Sequence, residues 1–384
     1  MDANRFQKTA LGRLVRINDP KPDFAFIPNP LPLKWDMPAE LWPLLMKARE
    51  SLARLDGVGL HMPNHELILT PLQRREALRS SSLEGTYVTP EELLLYQMDP
   101  RKPTSETDPV NASREVFNYS KALDAGVRLL KGGLPVCLRL ITDMHRELLK
   151  SVRGANRMPG EFRKRQVQIG VDARFIPPPP AEVLASLDLF ERYHHESSEI
   201  DPLIRAFMAH YQFETIHPFL DGNGRVGRLL LSLTIYHWLE LKSPWLYMSS
   251  FFEQHKNDYI DRLFNVSAHG DWKSWIDFCL KGVIAQSEDS IRRIHQLVQL
   301  RDKYQKKVAD SGGSARLQQL VGGLFQSPVI NVPRAQKQFG ITYPTAKSDI
   351  NRLVKIKILK EGPPNIYPRY YFAPEILFVA YNDE

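Results

Sequence analysis

The stretch HPFLDGNGRVGR, residues 217–228, joins two segments whose apolar residues recur with a helical period. Asp-Gly and Asn-Gly pairs also favour tight turns between β-strands, which is the simplest alternative. Strands flanking such a turn should alternate apolar and polar residues, whereas these flanks repeat at three and four. The spacing therefore predicts a glycine-rich turn between two buried helices. The apolar positions are Leu203, Ile204, Phe207, Met208 and Tyr211 before the turn, and Leu229, Leu230, Leu233 and Ile235 after it.

The glycines of this turn also fit the dinucleotide-binding fingerprint G-x-G-x-x-G, at positions 222, 224 and 227. That fingerprint requires a preceding strand within a βαβ unit. Here a polar helix end precedes it, and strands do not alternate with helices elsewhere in the sequence. The pattern therefore argues against a Rossmann domain.

The residue types in the turn are those that bind phosphate. Two glycines around Asn223, just before a helix, let backbone N–H groups converge on an anion at the positive end of the helix dipole. Asp221 offers a hard oxygen ligand of the kind that Mg²⁺ prefers, and Arg225 and Arg228, three residues apart, can both neutralise a polyphosphate. His217 is suited to act as a general base for a hydroxyl nucleophile. The turn predicts phosphate, metal and base chemistry at one place.

Length and composition indicate a soluble globular protein of two or three domains. Its 384 residues are 43% hydrophobic and 25% charged, so a packed core is feasible. Cys137 and Cys279 lie far apart in apolar stretches, which favours reduced thiols over a disulfide. The N-terminus lacks the continuous apolar stretch of a signal peptide, and the most apolar run, residues 229–239, is interrupted by polar residues. We expect a cytoplasmic protein without membrane association.

Helical periodicity dominates from residue 39 to residue 300, so the predicted fold class is mainly α. Five prolines within the first 32 residues predict an extended N-terminal segment lying over the body. A polar segment at 99–111 predicts a loop, and glycines and prolines at 153–180 frame a predicted β-hairpin or flap. The predicted helices span residues 39–56, 70–82, 112–131, 134–152, 181–197, 202–213 and 225–238, with two more between 249 and 300.

The C-terminal segment differs from the body in pattern and charge. Residues 308–314 resemble a linker. Three short predicted helices at 316–325, 332–339 and 344–356, followed by strands at 358–360 and 369–372, have the order of a winged helix-turn-helix domain. From residue 301 onward, 13 Lys and Arg stand against 7 Asp and Glu, which accounts for most of the net charge of +7. A DNA partner or a protein-interaction and homodimer module would both fit. The basic residues on and after the third helix are Lys347, Arg352, Lys355 and Lys357.

The turn resembles the signature of the Fic family, H-P-F-x-D/E/N-G-N-G-R-x-x-R, and every fixed position is matched. The resemblance implies a mainly α-helical Fic core with a β-hairpin flap and the activity of a protein adenylyltransferase (AMPylase). Such an enzyme transfers AMP from ATP to a Ser, Thr or Tyr hydroxyl of a target protein, with Mg²⁺ as cofactor. The implied domains are an N-terminal region at 1–111, a Fic catalytic core at 112–307 and a winged helix-turn-helix domain at 308–384. The implied roles are base for His217, core anchor for Phe219, metal ligand for Asp221, anion cradle for Gly222, Asn223 and Gly224, and triphosphate binding for Arg225 and Arg228.

Two further segments resemble parts of the same family. Residues 165–180 resemble the flap that holds a target segment by β-strand addition, with Gln168, Ile169 and Phe175 as contact residues. The alternative is an ordinary hairpin and proline loop. Residues 249–263, SSFFEQHKNDYIDRL, resemble the segment after the active helix, where Asn257 and Tyr259 would flank the adenine. The alternative is that these two residues lie on the surface.

An upstream motif, SSSLEGT at 80–86, fits the family's inhibitory pattern S/T-x-x-x-E-G/N through Ser80, Glu84 and Gly85. The alternative is a plain helix C-terminus, because Gly85 suits the residue after a last turn. The resemblance implies that Glu84 pairs with Arg228 and denies that arginine to the γ-phosphate. Since the motif precedes the core, the implied class is self-inhibited, with an N-terminal inhibitory helix.

Other functions remain open from the sequence. The same pocket could remove AMP from a modified protein, with Glu84 positioning water. A nucleotide-sensing, DNA-binding transcription regulator is the alternative from another class, although a sensor would not need the base His217. Zinc hydrolysis is disfavoured, because His210 and His217 are seven residues apart and lack the H-x-x-x-H spacing. We expect ATP, a hydroxyl-bearing target protein and the protein itself as partners in the reaction.

Overall fold

The computed structural model describes residues 1–60, 66–105, 107–150, 158–364 and 368–382. Helices dominate these residues, which confirms the mainly α fold class. Within the described ranges, none of the helices combines the length and the apolar character needed to cross a membrane. Cys137 and Cys279 are both free thiols, and Cys279 is buried. The body helices are α1 (Trp42–Leu60), α2 (Glu66–Leu83), α3 (Pro90–Met98), α4 (Val110–Lys131), α5 (Leu138–Leu148), α6 (Pro180–His195), α7 (Pro202–Ile216), α8 (Asn223–Trp238), α9 (Ser249–Gln254), α10 (Lys256–His269) and α11 (Trp272–Asp310).

The N-terminal segment is extended, as its prolines predict, but it is also paired. Strands β1 (Gly12–Ile17) and β2 (Asp23–Pro28) form an antiparallel hairpin. Pro20 and Pro22 lie in the turn, Pro28 ends β2, and Pro30 and Pro32 follow it, so they remove no hydrogen bond from the interior of the ladder. Phe26 packs against Phe175, and its N–H donates to the carbonyl oxygen of Ile176 at 2.9 Å. The hairpin therefore covers the segment predicted to be a flap.

Helices α7 and α8 form the centre of the body. Both are buried on nearly every face, which explains the almost continuous apolar sequence on either side of the turn. Phe207 and Phe213 of α7 are fully buried, and Trp275 of α11 donates its indole N–H to the Phe207 carbonyl oxygen at 3.1 Å. The turn at 217–222 is thus held between two helices that cannot move independently of the core.

Helix α2 is fixed against the same core by a buried carboxyl group. Glu76 is 3% exposed; its Oε1 accepts a hydrogen bond from the Tyr119 hydroxyl at 2.8 Å, and its Oε2 accepts one from the Ser249 N–H at 3.1 Å. Burial raises the pKa of Glu76. These contacts to α4 and α9 set the position of the last turn of α2 relative to α8.

Helix α3 lies in a region for which the sequence patterns predicted no helix. It begins with a capping box, in which Thr89 Oγ1 accepts from the Glu92 N–H at 3.2 Å and Glu92 Oε2 accepts from the Thr89 N–H at 2.8 Å. The signal T-P-E-E was therefore present in the sequence and was missed. The residues from 99 to 109 follow as a loop, in agreement with the prediction, apart from residue 106, which lies outside the described part of the chain.

The predicted linker at 308–314 is wrong. Val308 is fully buried within α11, and Ser311 to Ser314 form a tight turn in which the Gly313 N–H donates to the Val308 carbonyl oxygen at 2.8 Å. Helix α11 runs 39 residues, or about 58 Å at the usual rise per residue. The boundary drawn at 307/308 therefore lies inside one helix, and the boundary at 111/112 lies inside α4. The three-domain division stays a prediction.

Beyond this turn come three helices, a small sheet and a last helix. The strand order is β3-β5-β4, with both pairs antiparallel, and assignment as a winged helix stays a prediction. Four basic residues were predicted on and after the third helix of this segment. Lys347 donates a hydrogen bond to the Tyr371 hydroxyl and Arg352 donates one to the Ser311 carbonyl oxygen. Both are partly buried, so only Lys355 and Lys357 of the four are exposed. The elements are α12 (Ala315–Gln326), β3 (Val329–Asn331), α13 (Val332–Phe339), α14 (Tyr343–Lys355), β4 (Lys360–Glu361), β5 (Tyr370–Phe372) and α15 (Pro374–Tyr381).

Candidate active site

His217 ends α7 in a left-handed backbone conformation, with φ at 50° and ψ at 61°. Its Nδ1 lies 3.3 Å from the carbonyl oxygen of Glu214, to which it donates as an N–H. This tautomer leaves the lone pair on Nε2, the nitrogen able to accept a proton. Burial lowers the pKa of His217 to about 4, although the bond to Glu214 and the charge of Glu84 oppose that shift. The imidazole is therefore neutral near pH 7, as a general base must be.

Arg163 holds this unusual helix end in place. Its Nε donates to the His217 carbonyl oxygen at 2.8 Å, and its Nη2 donates to the carbonyl oxygens of Pro178 at 2.6 Å and Ile216 at 3.3 Å. The side chain is 3% exposed, and burial lowers the pKa of Arg163 to about 10. A single guanidinium therefore fastens the proline segment to the end of α7.

Phe219 is fully buried, as its implied role of core anchor requires, and stacks on His145 with ring centroids 3.7 Å apart. His145 Nδ1 accepts from the Gly160 N–H at 2.8 Å, so its Nε2 donates to the carbonyl oxygen of Asp221 at 3.0 Å. Burial, with a smaller contribution from two arginines, lowers the pKa of His145 to about 3 and keeps this ring neutral. His145 of α5 thus stabilises the turn through ring stacking and a backbone hydrogen bond.

Asn223 starts α8 and closes the turn with its side chain. Its Oδ1 accepts from the Phe219 N–H at 2.7 Å, and its Nδ2 donates to the Phe219 carbonyl oxygen at 2.9 Å. The side chain is therefore committed to the turn, and only the backbone N–H can serve the implied anion cradle. Gly222, at φ 77°, gives the chain the left-handed step into the helix.

Asp221 lies at the mouth of this cradle. Its Oδ1 accepts from the Gly222 N–H at 2.7 Å and lies 3.7 Å from Arg225 Nη2. Within the described residues, no group of three or more metal-binding side chains is present. A single carboxylate beside an anion site fits a Mg²⁺ ion that keeps water and phosphate oxygens as its other ligands.

Arg228 binds both ends of the inhibitory motif. Its Nε donates to Ser80 Oγ at 2.8 Å, and its Nη2 donates to the Ser80 carbonyl oxygen at 2.9 Å and to Glu84 Oε1 at 2.7 Å. Burial raises the pKa of Glu84, but the charge and hydrogen bond of Arg228 outweigh it and hold that pKa below its ordinary value. Gly85 follows with φ at 84°, so the motif is also the helix C-terminus that the alternative interpretation describes. The fold thus brings Glu84 into contact with Arg228, which lies 144 positions further along the chain.

Arg225 also faces an acidic residue outside the signature. Its Nη1 lies 3.6 Å from Glu115 Oε2 of α4, which accepts a hydrogen bond from the Thr86 hydroxyl at 3.1 Å. Arg225 is 4% exposed, and burial lowers its pKa. Among the described residues, its Nε and Nη1 make no hydrogen bond. Both arginines are therefore buried next to carboxylates at rest, and an anion could satisfy the remaining donors of Arg225.

One cavity of about 200 Å³ lies between α2, α7, α8 and α10, and Gly224 borders it at the start of α8. Asp221 and Arg225 are not among the residues that line it. His217, Glu84, Glu214 and Arg228 lie on its polar side. Its apolar side includes Leu83, Ile169, Phe175, Tyr259, Ile260, Leu263 and Phe264.

The two residues predicted to flank adenine have separate positions. Tyr259 is 5% exposed, lines the cavity and lies 2.9 Å from His210 Nε2 through its hydroxyl. Asn257 is exposed and is not among the cavity-lining residues. Asn257 and Tyr259 are two residues apart on a helix, so their side chains point in different directions. The structure therefore brings Tyr259 to the site and leaves Asn257 outside it.

The predicted flap is shorter than a hairpin. Ile169 and Phe175 exchange backbone hydrogen bonds of 2.8 and 3.1 Å in a single antiparallel bridge, and the part at 153–157 lies outside the described residues. Gln168 is exposed, whereas Phe175 is 8% exposed beneath the N-terminal hairpin. Phe175 is therefore a packing residue in this state, and target binding by Gln168 and Ile169 stays a prediction.

Sequence reasoning missed four residues of the site: Glu115, His145, Arg163 and Glu214. Glu115, His145 and Arg163 each lack a partner at a diagnostic spacing in their own segment, and they contact the signature only through tertiary packing. Glu214 is the exception in one respect, because its place three residues before His217 puts it one helical turn from the base.

Comparison with known proteins gives two family matches. Residues 42–128 match the family described as Fic/DOC family N-terminal, and residues 135–235 match the Fic/DOC family. Proteins named "Protein adenylyltransferase Fic" are similar over part of the chain. The one from Drosophila melanogaster is 38% identical over 126 residues, which are 31% of this chain and 25% of the relative. The match thus spans about a quarter of the length of that relative.

Two solved structures share the fold at low sequence identity. A Fic family protein from Desulfovibrio desulfuricans G20 is 18% identical, with a TM-score of 0.56 over 88% of this chain and 97% of that chain. A Fic domain-containing signaling protein from Bacteroides thetaiotaomicron is 19% identical, with a TM-score of 0.52 over 65% of this chain and 97% of that one.

Proposed function

Because the chain carries the Fic/DOC N-terminal region and the Fic/DOC domain, we propose that it is a protein adenylyltransferase. It would transfer AMP from ATP to a Ser, Thr or Tyr hydroxyl of a target protein. The relatives named for this activity support the assignment. The structural observation that carries it is the meeting of His217, Arg228 and the N-terminus of α8 at one cavity.

The geometry supports a base-assisted attack on the α-phosphorus of ATP. His217 Nε2 would accept the proton of the target hydroxyl while the hydroxyl oxygen forms a bond to the α-phosphorus. The bond from that phosphorus to the bridging oxygen breaks, and pyrophosphate leaves. The α8 N–H groups and both arginines would stabilise the charge that develops on the phosphate oxygens. The target segment, held near Ile169, would lie against the same cavity that His217 lines.

Asp221 is the residue that would hold Mg²⁺, together with the phosphates. Such an ion would neutralise phosphate charge when bound. Asp221 is suited to this role because its backbone carbonyl is fixed by His145 and its carboxylate lies next to the first turn of α8.

Glu84 would keep the enzyme at low activity. It occupies Arg228 through a 2.7 Å hydrogen bond, and its side chain is 41% exposed, whereas that of Arg228 is 3% exposed. Glu84 is therefore the exposed member of the pair, and it can move into solvent at a smaller cost than the buried Arg228. The arrangement supports inhibition that ends when Glu84 moves and Arg228 binds phosphate instead.

Removal of AMP is the second candidate. The partial exposure of the Glu84 carboxylate within reach of the cavity favours it, because such a group could orient a water molecule. Transfer and removal differ in their response to loss of Glu84. Removal should fall in Glu84→Gly, whereas transfer should rise.

Incubation with ATP labelled at the α-phosphate tests the proposal. Wild type, Glu84→Gly and His217→Ala should show weak, strong and no labelling of protein, respectively. Labelling that persists in His217→Ala would exclude His217 as the base. If no variant labels itself or any protein of a cell extract, the activity is excluded.

A further inference from the structure

Glu214 is a carboxyl group of the cavity that the signature does not contain and the proposed mechanism does not use. It lies in the last turn of α7, and its backbone carbonyl orients the imidazole of His217. Its Oε1 is buried, and no group among the described residues donates a hydrogen bond to it. A buried carboxyl oxygen of this kind needs a donor or a proton.

Helix α8 leaves room for the Glu214 carboxyl group because glycine stands at position 227. A Cβ atom on Gly227 would collide with Glu214 Oε1, as a Cβ on Gly224 would collide with Glu84 Oε1. The two glycines lie one turn apart, so the first turn of α8 admits two carboxyl groups side by side. Glu84 has Arg228 as its ion-pair partner. The charge of Arg228 also lowers the pKa of Glu214, but Arg228 donates no hydrogen bond to Glu214 Oε1. The two groups therefore interact at longer range.

We propose that Glu214 takes up a proton when nucleotide binds and then donates its O–H to an oxygen atom of the nucleotide. The inference rests on the proposed function, because it requires a nucleotide in this cavity. Glu214 would act as a positioning residue, since it binds the substrate but exchanges no proton with the reacting hydroxyl.

The charges around the cavity support this proton uptake. Burial raises the pKa of Glu214 to about 7, Arg228 lowers it and Glu84 raises it. A bound polyphosphate adds negative charge, which acts in the same direction as Glu84. The other titratable or charged groups that line the cavity are Arg174, His217, Lys256 and Tyr259. In the proposed mechanism the N–H groups at the start of α8 and Arg228 would bind the phosphates, so a donor from α7 would add a further contact.

Proton uptake makes nucleotide binding depend on pH. If the bound nucleotide raises the pKa of Glu214, affinity is highest where Glu214 is already protonated and falls as pH rises above its pKa in the free protein. The fall is at most about tenfold per pH unit for one proton. Glutamine at this position keeps the shape and a donor but cannot titrate.

Calorimetry with a non-hydrolysable ATP analogue and Mg²⁺ tests the inference. The proteins are Glu84→Gly, which opens Arg228, the double variant Glu84→Gly/Glu214→Gln, and a control, Glu84→Gly/Glu182→Gln. Glu182 lies on α6 with its side chain 40% exposed. Titrations at about pH 6 and pH 7.5, in two buffers of different ionisation enthalpy, give both the affinity and the protons taken up.

We expect Glu84→Gly and the Glu182 control to take up part of a proton at the higher pH and to bind several-fold more tightly at the lower pH. The Glu214→Gln double variant should take up none beyond that of the nucleotide itself and should bind equally at both. Equal proton uptake in all three proteins would overturn the inference, and so would affinity lost at both pH values in the Glu214→Gln protein. Absence of nucleotide binding by every variant would instead overturn the proposed function.

Discussion

The carboxylate of Glu84 occupies the space that a side chain on Gly224 would need. A Cβ atom at position 224 would collide with Glu84 Oε1, the same atom that accepts the 2.7 Å hydrogen bond from Arg228. Gly224 and the Glu84 carboxylate therefore meet at the N-terminus of α8, where phosphate is expected to bind. We infer that Glu84 competes with nucleotide both for space and for the arginine.

Replacing Glu84 with glycine should raise AMP transfer on the order of a hundredfold, the lower end of the range of about a hundredfold to a thousandfold for one charge-stabilising donor in the transition state. The measurement is incorporation of labelled AMP. Glu84→Gln should give an intermediate rate, because it keeps the acceptor oxygen but loses the charge. A Glu84→Gly rate equal to that of wild type would contradict the inhibitory role.

Glu84→Gly should also lower the stability of the folded protein, and that stability should depend more strongly on bound nucleotide than in wild type. Arg228 stays buried without its carboxylate, which costs about 1–2 kcal/mol, less than for a fully buried pair because Glu84 is 41% exposed. Bound ATP replaces the lost charge. Thermal unfolding should therefore show a lower Tm for Glu84→Gly and a larger rise of that Tm with Mg²⁺ and ATP than in wild type. Equal rises in both proteins would contradict this.

Transfer should not depend on protonation of His217 between about pH 8 and pH 6. Burial lowers the pKa of His217 to about 4, so the base is unprotonated across that range and is lost only as pH approaches that value. The rate profile of Glu84→Gly/Glu214→Gln, in which Glu214 cannot titrate, measures this directly. His217→Ala should abolish transfer, whereas alanine at the exposed His237 of α8 should not. A steep loss of rate near pH 6.5 would indicate an ordinary, exposed imidazole.

Glu253 should influence the reaction without touching the cavity. It holds the last turn of α2 through Arg79 Nη1 at 3.1 Å and through the Ser82 hydroxyl. Glu253→Gln weakens this attachment, so Glu84 should leave Arg228 more often and transfer should rise several-fold. In a Glu84→Gly background the same change should have no effect, because the group it releases is absent. An equal effect in both backgrounds would show that Glu253 acts elsewhere.

Arg163 should be needed for both stability and transfer. Arg163→Met leaves buried carbonyl oxygens of His217, Pro178 and Ile216 without a donor, which should cost about 2–4 kcal/mol in urea unfolding. The end of α7 should then relax, and transfer by Glu84→Gly should fall at least tenfold even where the protein is folded. The exposed neighbour Arg165, changed to methionine, is the control. Transfer that survives in folded Arg163→Met would contradict the positioning role.

Much of the local structure was readable from the sequence. The helical period on both sides of the signature predicts α7 and α8 to within a few residues, and the family match confirms the resemblance drawn from the turn. The extended N-terminus was also predicted, and so was a loop at 99–111, which in the structure ends where α4 begins at Val110. Helix α3 was not predicted, although the capping box that begins it, Thr89 with Glu92, stands in the sequence.

Other features had no local signal. The hairpin of β1 and β2 depends on strand pairing across a turn that contains prolines. The turn at 311–314 resembles a linker in sequence, because two adjacent glycines suit a flexible linker and a tight turn equally well. Burial of Phe175 under Phe26 and the exposure of Asn257 depend on which face of each segment meets the body. In a short segment the spacing of apolar residues does not predict which face packs against the body.

The sequence by itself determined which residues form the turn, and it predicted phosphate, metal and base chemistry there, because histidine, glycines, a carboxylate and two arginines within twelve residues have few other uses. The resemblance of residues 80–85 to a family motif also predicted the contact between Glu84 and Arg228. Only the tertiary structure decided what surrounds them: Glu115 beside Arg225, His145 under the turn, Arg163 behind His217 and Glu214 against Gly227. The physical reason is that hydrogen bonds along one helix or turn repeat at fixed spacings, whereas the partner of a buried charge is set by how distant helices pack.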